Sequence, residues 1–237
     1  LELAGVPPLC AVVLCARGLD TPEKAGEFLA NGPELLHDPF LMRDMDRAAV
    51  CISQAVERGD TIAVYGDYDV DGITSTCLLT EFLRERGGHV ICYIPDRTGE
   101  GYGLNRGAVD RLGQQGVKLI VTVDCGITAA PEVAYAKALG IDVVVTDHHH
   151  CKDNLPDAAA VVDPRRPDCT YPFKELAGVG VALKVALALT PRQDWAGVLE
   201  QYGELAAIGT VADVMRLTDE NRAIVTLGLE RLAHTCR

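Results

Sequence analysis

The spacing of apolar positions changes at Gly59. Before it, residues 20–58 carry apolar side chains at helical intervals and predict two or three helices. "TPEKAGEFLA" opens with Thr21 as an N-cap and Pro22 in the first turn, although Lys24 stands where a capping box needs an acid or amide. A further helix over Met45–Arg58 stops at Gly59. Beyond that glycine, short apolar runs alternate with helical stretches. The runs are "TIAVY" (61–65), "HVICYI" (89–94), "KLIVTV" (118–123), "DVVVT" (142–146) and "AAVV" (159–162), and the stretches between the first four end in glycine, as helices commonly do. The pattern predicts an α/β fold, doubly wound, with a mainly parallel sheet of about five strands buried on both faces and flanked by helices. From about Ala177 the chain reads helical again. The predicted organisation is one domain over 1–237: a helical lead-in (1–58), a βα core (59–165) and a helical closing section (166–237).

Composition narrows the setting. With 237 residues, 48% hydrophobic and 5% aromatic, the chain can bury an ordinary globular core. The apolar run Leu9–Ala16 falls well short of the roughly 18 residues of a membrane span, and it has no basic lead-in or cleavage site, so neither membrane insertion nor secretion is predicted. Nine cysteines are scattered singly, odd in number and without a C-x-x-C, which favours reduced thiols and a cytoplasmic location over disulfides or structural zinc. A formal charge of −12 argues against a simple basic nucleic-acid binder. Carboxylates that hold divalent cations are neutralised in use, however, so the objection is bounded. The start at Leu1 rather than Met points to a piece of a longer protein.

The chemistry gathers where strands end. The first predicted strand runs into Asp67, Asp69 and Asp71, the third into Asp124, and the fourth into Asp147, His148, His149 and His150. Ligands of open parallel sheets bind beyond the carboxyl ends of the strands, so three strands deliver acids or imidazoles to one edge. A single such Asp is ordinarily a helix cap or turn former. Several together repel one another and need cations, and oxygen and imidazole donors without thiolate suit Mn²⁺ or Mg²⁺. "DYDVDG" could also open an EF-hand, but position twelve from Asp67 is Leu78 rather than Glu, and a strand precedes it. The D-x-D-x-T of dehalogenase-type phosphatases is approached, with Ile73 where Thr is required; that reading is weakened. No P-loop or dinucleotide-binding glycine motif follows a strand.

"VYGDYDVDGITST", "VTVDCGI", "VVVTDHHH" and "IGTVADVMRLTDENR", in that order, resemble the four motifs of the DHH phosphoesterase superfamily, the name triplet standing here as Asp147-His148-His149. "DPFLMRDMDRA", "EGYGLN" and "LAGVGVALKVALAL" are similar to the RecJ-type exonuclease branch, and the resemblance runs from about residue 17 to the end. It implies a catalytic domain with two ions, Mn²⁺ or Mg²⁺. Asp69 and Asp71 would each face one metal, Asp124 would bridge them, and His148 and Asp213 would complete the ligand set of the second ion. Asp67 would be an extra ligand or would support the ligands from behind, Asp147 would orient His148, and His149 would approach the scissile phosphate. Two cations roughly 3.5–4 Å apart would activate water and neutralise the leaving oxygen. Many members carry His four residues before the first aspartate of the metal pair; Tyr65 here predicts a weakly held ion or substitution by Asp67.

The implied reaction is 5′ to 3′ hydrolysis of single-stranded DNA to 5′-mononucleotides in repair and recombination, with a single-strand-binding protein or a helicase as partner. Rival readings are a DHH enzyme for short oligoribonucleotides or cyclic dinucleotides, and a non-catalytic replication scaffold. Substrate-binding domains would lie C-terminal to these residues. Arg97 and Arg106 are candidate phosphate contacts, Tyr68, Tyr102 and Phe173 candidate base-stacking residues, and Trp195 a packing residue. "AGVGVALKV" reads as a helix start offered to phosphate through Gly178 and Gly180, or as close packing by small residues.

Overall fold

A computed structural model describes residues 5–30, 32–97, 99, 101, 103–152 and 154–235. Strands β1 (Thr61–Tyr65), β2 (His89–Tyr93), β3 (Val117–Val123), β4 (Asp142–Thr146) and β5 (Ala160–Val162) form one sheet, ordered β2-β1-β3-β4-β5, with every neighbouring pair parallel. Around it lie helices α1 (Pro8–Ala16), α2 (Pro22–Leu29), α3 (Met45–Arg58), α4 (Val70–Glu85), α5 (Arg106–Gln114), α6 (Ala130–Ala138), α7 (Gly178–Ala188), α8 (Trp195–Ala212) and α9 (Asp219–Leu232). The predicted doubly wound fold is the observed one.

Alternation along each strand splits the core in two. Ile62 and Val64 of β1, with Leu119, Val121 and Val123 of β3, join α3, α4 and α7 on one face; Ala63, Tyr65 and Ile120 join α5 and α6 on the other. Both faces being covered explains why the strands read as continuous apolar runs. Thr21 caps α2 by accepting the Lys24 N–H, and α3 ends at Gly59 in a left-handed conformation, as the sequence predicts. Trp195 is buried, and its indole N–H donates to the carbonyls of Leu187 and Thr190.

Helix α1 falls within the lead-in expected to be helical but before the two or three helices placed over 20–58: its run lacks polar punctuation, and Leu9, Val12 and Val13 remain exposed while Ala11 and Leu14 are buried. No helix among the described residues is long and apolar enough to cross a membrane, and the described cysteines are free thiols.

The lead-in seals the sheet's far edge. Asp44, preceding α3, accepts the Val161 N–H of β5, while Arg166 donates to the Val161 carbonyl and to both Asp44 and Asp168. These side chains occupy backbone groups that an edge strand would otherwise leave open to pairing.

Candidate metal centre

Strand order reverses between β1 and β3, which opens the ligand-binding crevice of this topology at their carboxyl ends. The turn after β1 supplies three acids. Asp67 is buried; Asp69 is exposed and caps α4, its Oδ1 accepting the Gly72 N–H at 2.9 Å. Asp71, in the first turn of α4, is 2% exposed. Its Oδ2 accepts the Gly178 N–H at 2.7 Å and its Oδ1 the Val179 N–H at 2.8 Å. The start of α7 therefore serves a carboxylate on α4, and Ala177 gives that helix no side-chain cap. Asp124, after β3, is buried with φ at 58°, a left-handed conformation that Asp tolerates better than most residues.

The turn after β4 supplies the triplet. Asp147 uses both oxygens: Oδ1 accepts the backbone N–H of His148 at 2.7 Å and of His149 at 3.1 Å and meets His149 Nδ1 at 2.7 Å, while Oδ2 accepts the Ile127 N–H at 2.9 Å. Burial works against the ionised Asp147, yet these bonds, His149 foremost, hold its carboxyl below the usual range. The same bond raises His149 to about 9 and so favours the protonated ring. His148 is buried, with Nε2 3.1 Å from Asp124 Oδ1, 3.7 Å from Asp213 Oδ2 and 3.8 Å from Asp71 Oδ2. Asp213 arrives from the end of α8.

Ligand atoms within 4.8 Å of one another form three overlapping groups: Asp71, His148 and Asp213; Asp67, Asp69 and Asp124; Asp124, His148 and His149. Divalent cations fit this donor set. Asp67 Oδ1, Asp124 Oδ1 and both His148 ring nitrogens are buried without a hydrogen-bond partner among the described residues, a costly arrangement unless something else satisfies them. Desolvation raises Asp71 to about 6 and, with the neighbouring Asp71 and Asp69 charges, raises Asp124 to about 10. Clustered acids strained in this way are relieved by cations, and oxygen with imidazole suits Mn²⁺ or Mg²⁺.

Other expected residues fall less simply. Arg97 lies 5.2 Å over the Tyr68 ring, beside the acidic turn, whereas exposed Arg106 lies 5.2 Å over Tyr135 on α6. Arg106 makes no described contact with the acidic cluster. Phe173 is buried in the core and is not available for stacking, and Tyr102 lies outside the described residues. The ring that Asp147 orients is His149; His148 receives only its backbone contact. Tyr65 points to the opposite face of the sheet, donating its hydroxyl to the Gly103 carbonyl at 2.8 Å and stacking on Tyr93. It is no stand-in for a metal-binding His. "AGVGVALKV" directs its first amides to Asp71, the acid held on α4.

One further acid joins this edge outside the expected set. Asp163, directly after β5, is fully buried and raised to about 7, first by desolvation and then by Asp147. The sequence carries a signal for it, since "VVDP" repeats the pattern of a strand running into Asp.

The family model described as DHH family, N-terminal domain, matches residues 61–210. The chain belongs to the DHH family. All of this DHH chain aligns with the single-stranded-DNA-specific exonuclease RecJ of Bacillus subtilis (strain 168), at 49% identity over 29% of that protein. The RecJ of Escherichia coli (strain K12) is 37% identical across 99% of the chain and 42% of its own length. Among solved structures, exonuclease RecJ bound to manganese matches with TM-score 0.73 and 38% identity, covering 83% of this chain and 49% of that one. RecJ from Thermus thermophilus in complex with Mn²⁺ matches with TM-score 0.77 and 33% identity over 98% of this chain and 32% of that one. The DHH chain thus spans under half the length of each of these relatives.

Proposed function

We propose that this chain is the catalytic domain of a metal-dependent phosphodiesterase, a 5′ to 3′ exonuclease that releases 5′-mononucleotides from single-stranded DNA. The observation that carries the reading is the convergence of buried, unsatisfied Asp67, Asp124 and His148 with Asp69, Asp71 and Asp213 at the β1/β3 crevice. Relatives named single-stranded-DNA-specific exonucleases, and a RecJ structure bound to manganese, support the substrate and the cofactor.

In this reading Asp71, His148 and Asp213 hold one ion and Asp67, Asp69 and Asp124 the other, with Asp124 also facing His148. Bound Mn²⁺ or Mg²⁺ supplies water activation and neutralisation of phosphate charge. The chain's own residues do the rest. Asp147 keeps His149 protonated and fixes its ring, so that the half-exposed imidazolium can donate to a phosphate oxygen. Arg97, beside Tyr68, is the more favourable of the two arginines for a second phosphate contact, and Arg106 is set aside. A single-strand-binding protein or a helicase would deliver the strand in the cytoplasm, where reduced cysteines are at home.

The test is incubation of the full-length protein with Mn²⁺ and a 5′-phosphorylated single strand. Release of 5′-mononucleotides is expected. Failure to release them, or faster turnover of dinucleotides than of long strands, would remove the single-strand exonuclease reading.

A further inference from the structure

Two glycines lie against the acids of the centre, and each would collide with a carboxylate if it carried a side chain. A Cβ on Gly178, the first residue of α7, would stand 2.5 Å from Asp124 Cβ and 2.6 Å from Asp124 Oδ1. On Gly209, in the last turns of α8, it would stand 2.9 Å from Asp71 Oδ1 and 2.7 Å from Val179 Cγ1, with Thr74 Oγ1 closer still. Such separations are not found for real Cβ atoms, so a side chain at either place would displace an acid or drive the helices apart.

Other helical glycines behave differently. Gly180, two residues along α7, has the Leu176 side chain as its nearest neighbour, at 3.1 Å, and no acid of the centre among its nearest atoms. Gly228 on α9 sits hard against Gly203 and Ala207 of α8, with no acid of the centre among its nearest atoms. Tight packing therefore occurs at Gly228 as well, and Gly72 in the first turn of α4 lies against the Asp67 backbone, but among the described glycines it is Gly178 and Gly209 that press on a carboxylate of the centre from another helix.

The close approach at Gly178 also has a chemical consequence. It brings the first two N–H groups of α7 onto the two oxygens of Asp71, leaving each oxygen a lone pair for a further partner while fixing the side chain's rotamer. It also sets partial positive charge from the helix start beside an acidic cluster.

We propose that Gly178 and Gly209 are positioning residues of the metal centre: by lacking side chains they let α7 and α8 close on Asp71 and Asp124 and hold both carboxylates in ligating geometry. The inference rests on the reading of Asp71 and Asp124 as metal ligands.

The experiment is calorimetric titration of the chain with Mn²⁺, comparing wild type with Gly178→Ala, Gly209→Ala, Gly180→Ala and Gly228→Ala, each also melted in chelator. Gly178→Ala and Gly209→Ala are expected to weaken Mn²⁺ binding roughly tenfold or more, as losing one charge-assisted hydrogen bond would. Gly180→Ala is expected to bind like wild type. Gly228→Ala is expected to melt at lower temperature and still bind within about twofold of wild type, a difference under half a kcal/mol. Should Gly178→Ala fail to fold, Val179→Pro removes one of the two donated N–H groups at a position where the first turn of a helix accepts proline, and it is expected to weaken Mn²⁺ similarly. Wild-type affinity in the Gly178 and Gly209 variants, or equal loss in Gly228→Ala, would overturn the positioning role. Absence of Mn²⁺ binding by the wild type would instead strike the metal reading beneath it.

Discussion

The chain buries two polar clusters, and they are built on opposite principles. At the crevice, five carboxylates from the ends of β1, β3 and α8 gather, Asp71, Asp124 and Asp213 around His148 and Asp67 and Asp69 beside Asp124, and two of their oxygens and both His148 ring nitrogens have no hydrogen-bond partner among the described residues. On the lead-in side of α7, Lys184 and Glu220 form a fully buried ion pair, Tyr171 donates to Glu220 Oε2 at 2.5 Å, the His37 N–H donates to Glu220 Oε1 at 2.9 Å, and Lys184 donates to the His37 carbonyl at 2.8 Å. One cluster carries uncompensated charge; the other is balanced and satisfied. Burial lowers the Lys184 ammonium pKa, partly offset by Glu220, and raises the Tyr171 hydroxyl. A balanced cluster ties the lead-in to α7 and α9. An unbalanced one is tolerable where a ligand completes it.

Removing one partner from the balanced cluster has the largest expected effect on the fold. Lys184→Met leaves Glu220 buried without its cation and is expected to destabilise the fold by about 3–5 kcal/mol in denaturant titration, with Mn²⁺ affinity little changed. A negligible loss would show that the pair does not hold the closing section.

Arg166→Met extends the same logic to the sheet edge. Burial pushes the Asp44 carboxyl up, but Arg166, together with the Val161 N–H and Arg47, more than offsets this and holds it below its ordinary value. Asp44 therefore contributes stability that is present above its unfolded pKa and lost as pH falls through the depressed folded value. Without Arg166 that protection disappears, so the variant is expected to unfold at a higher pH on acid titration; an unchanged acid midpoint would contradict the pairing.

The mirror experiment acts on the unbalanced cluster. Asp124→Asn replaces a carboxyl that burial and its acidic neighbours raise to about 10, so the cost of keeping it un-ionised in the fold at neutral pH disappears, and the variant is expected to melt higher in chelator, by about 1 kcal/mol or more in stability. A fall would mean that the acids support the fold without cations. The smallest expected effect concerns the backbone beside Asp213. Val214 has φ 55° and is 87% exposed at the helix end where glycine is the usual residue. Val214→Gly is expected to gain about 1 kcal/mol in thermal unfolding, less the added freedom of the unfolded chain.

Much of the architecture is legible because the change from helical spacing to β-branched runs is local and repeated, and strand ends mark the crevice once the sheet is known to be parallel. Asp69 carries two signals at once, helix cap and cluster member, and the structure shows both positions on one side chain. What stays hidden depends on distance along the chain. No spacing rule connects Asp71 to Gly178, 107 residues away, so "AGVGV" reads from sequence as facing phosphate or neighbouring helices. Tyr65 is readable in part: alternation on β1 puts it with Ala63 on the α5 and α6 face, away from the crevice, although its hydroxyl bond to Gly103 is a tertiary fact. Helix α1 escapes because an almost uniformly apolar run has no period to read.

If the acidic cluster is a centre for two divalent cations, titration of the chain with Mn²⁺ beside Asp124→Ala will show it. Saturable binding of two ions by the wild type, abolished or reduced to weak residual binding in Asp124→Ala, is the expected result. No saturable binding by the wild type, or binding unchanged in the variant, would contradict it.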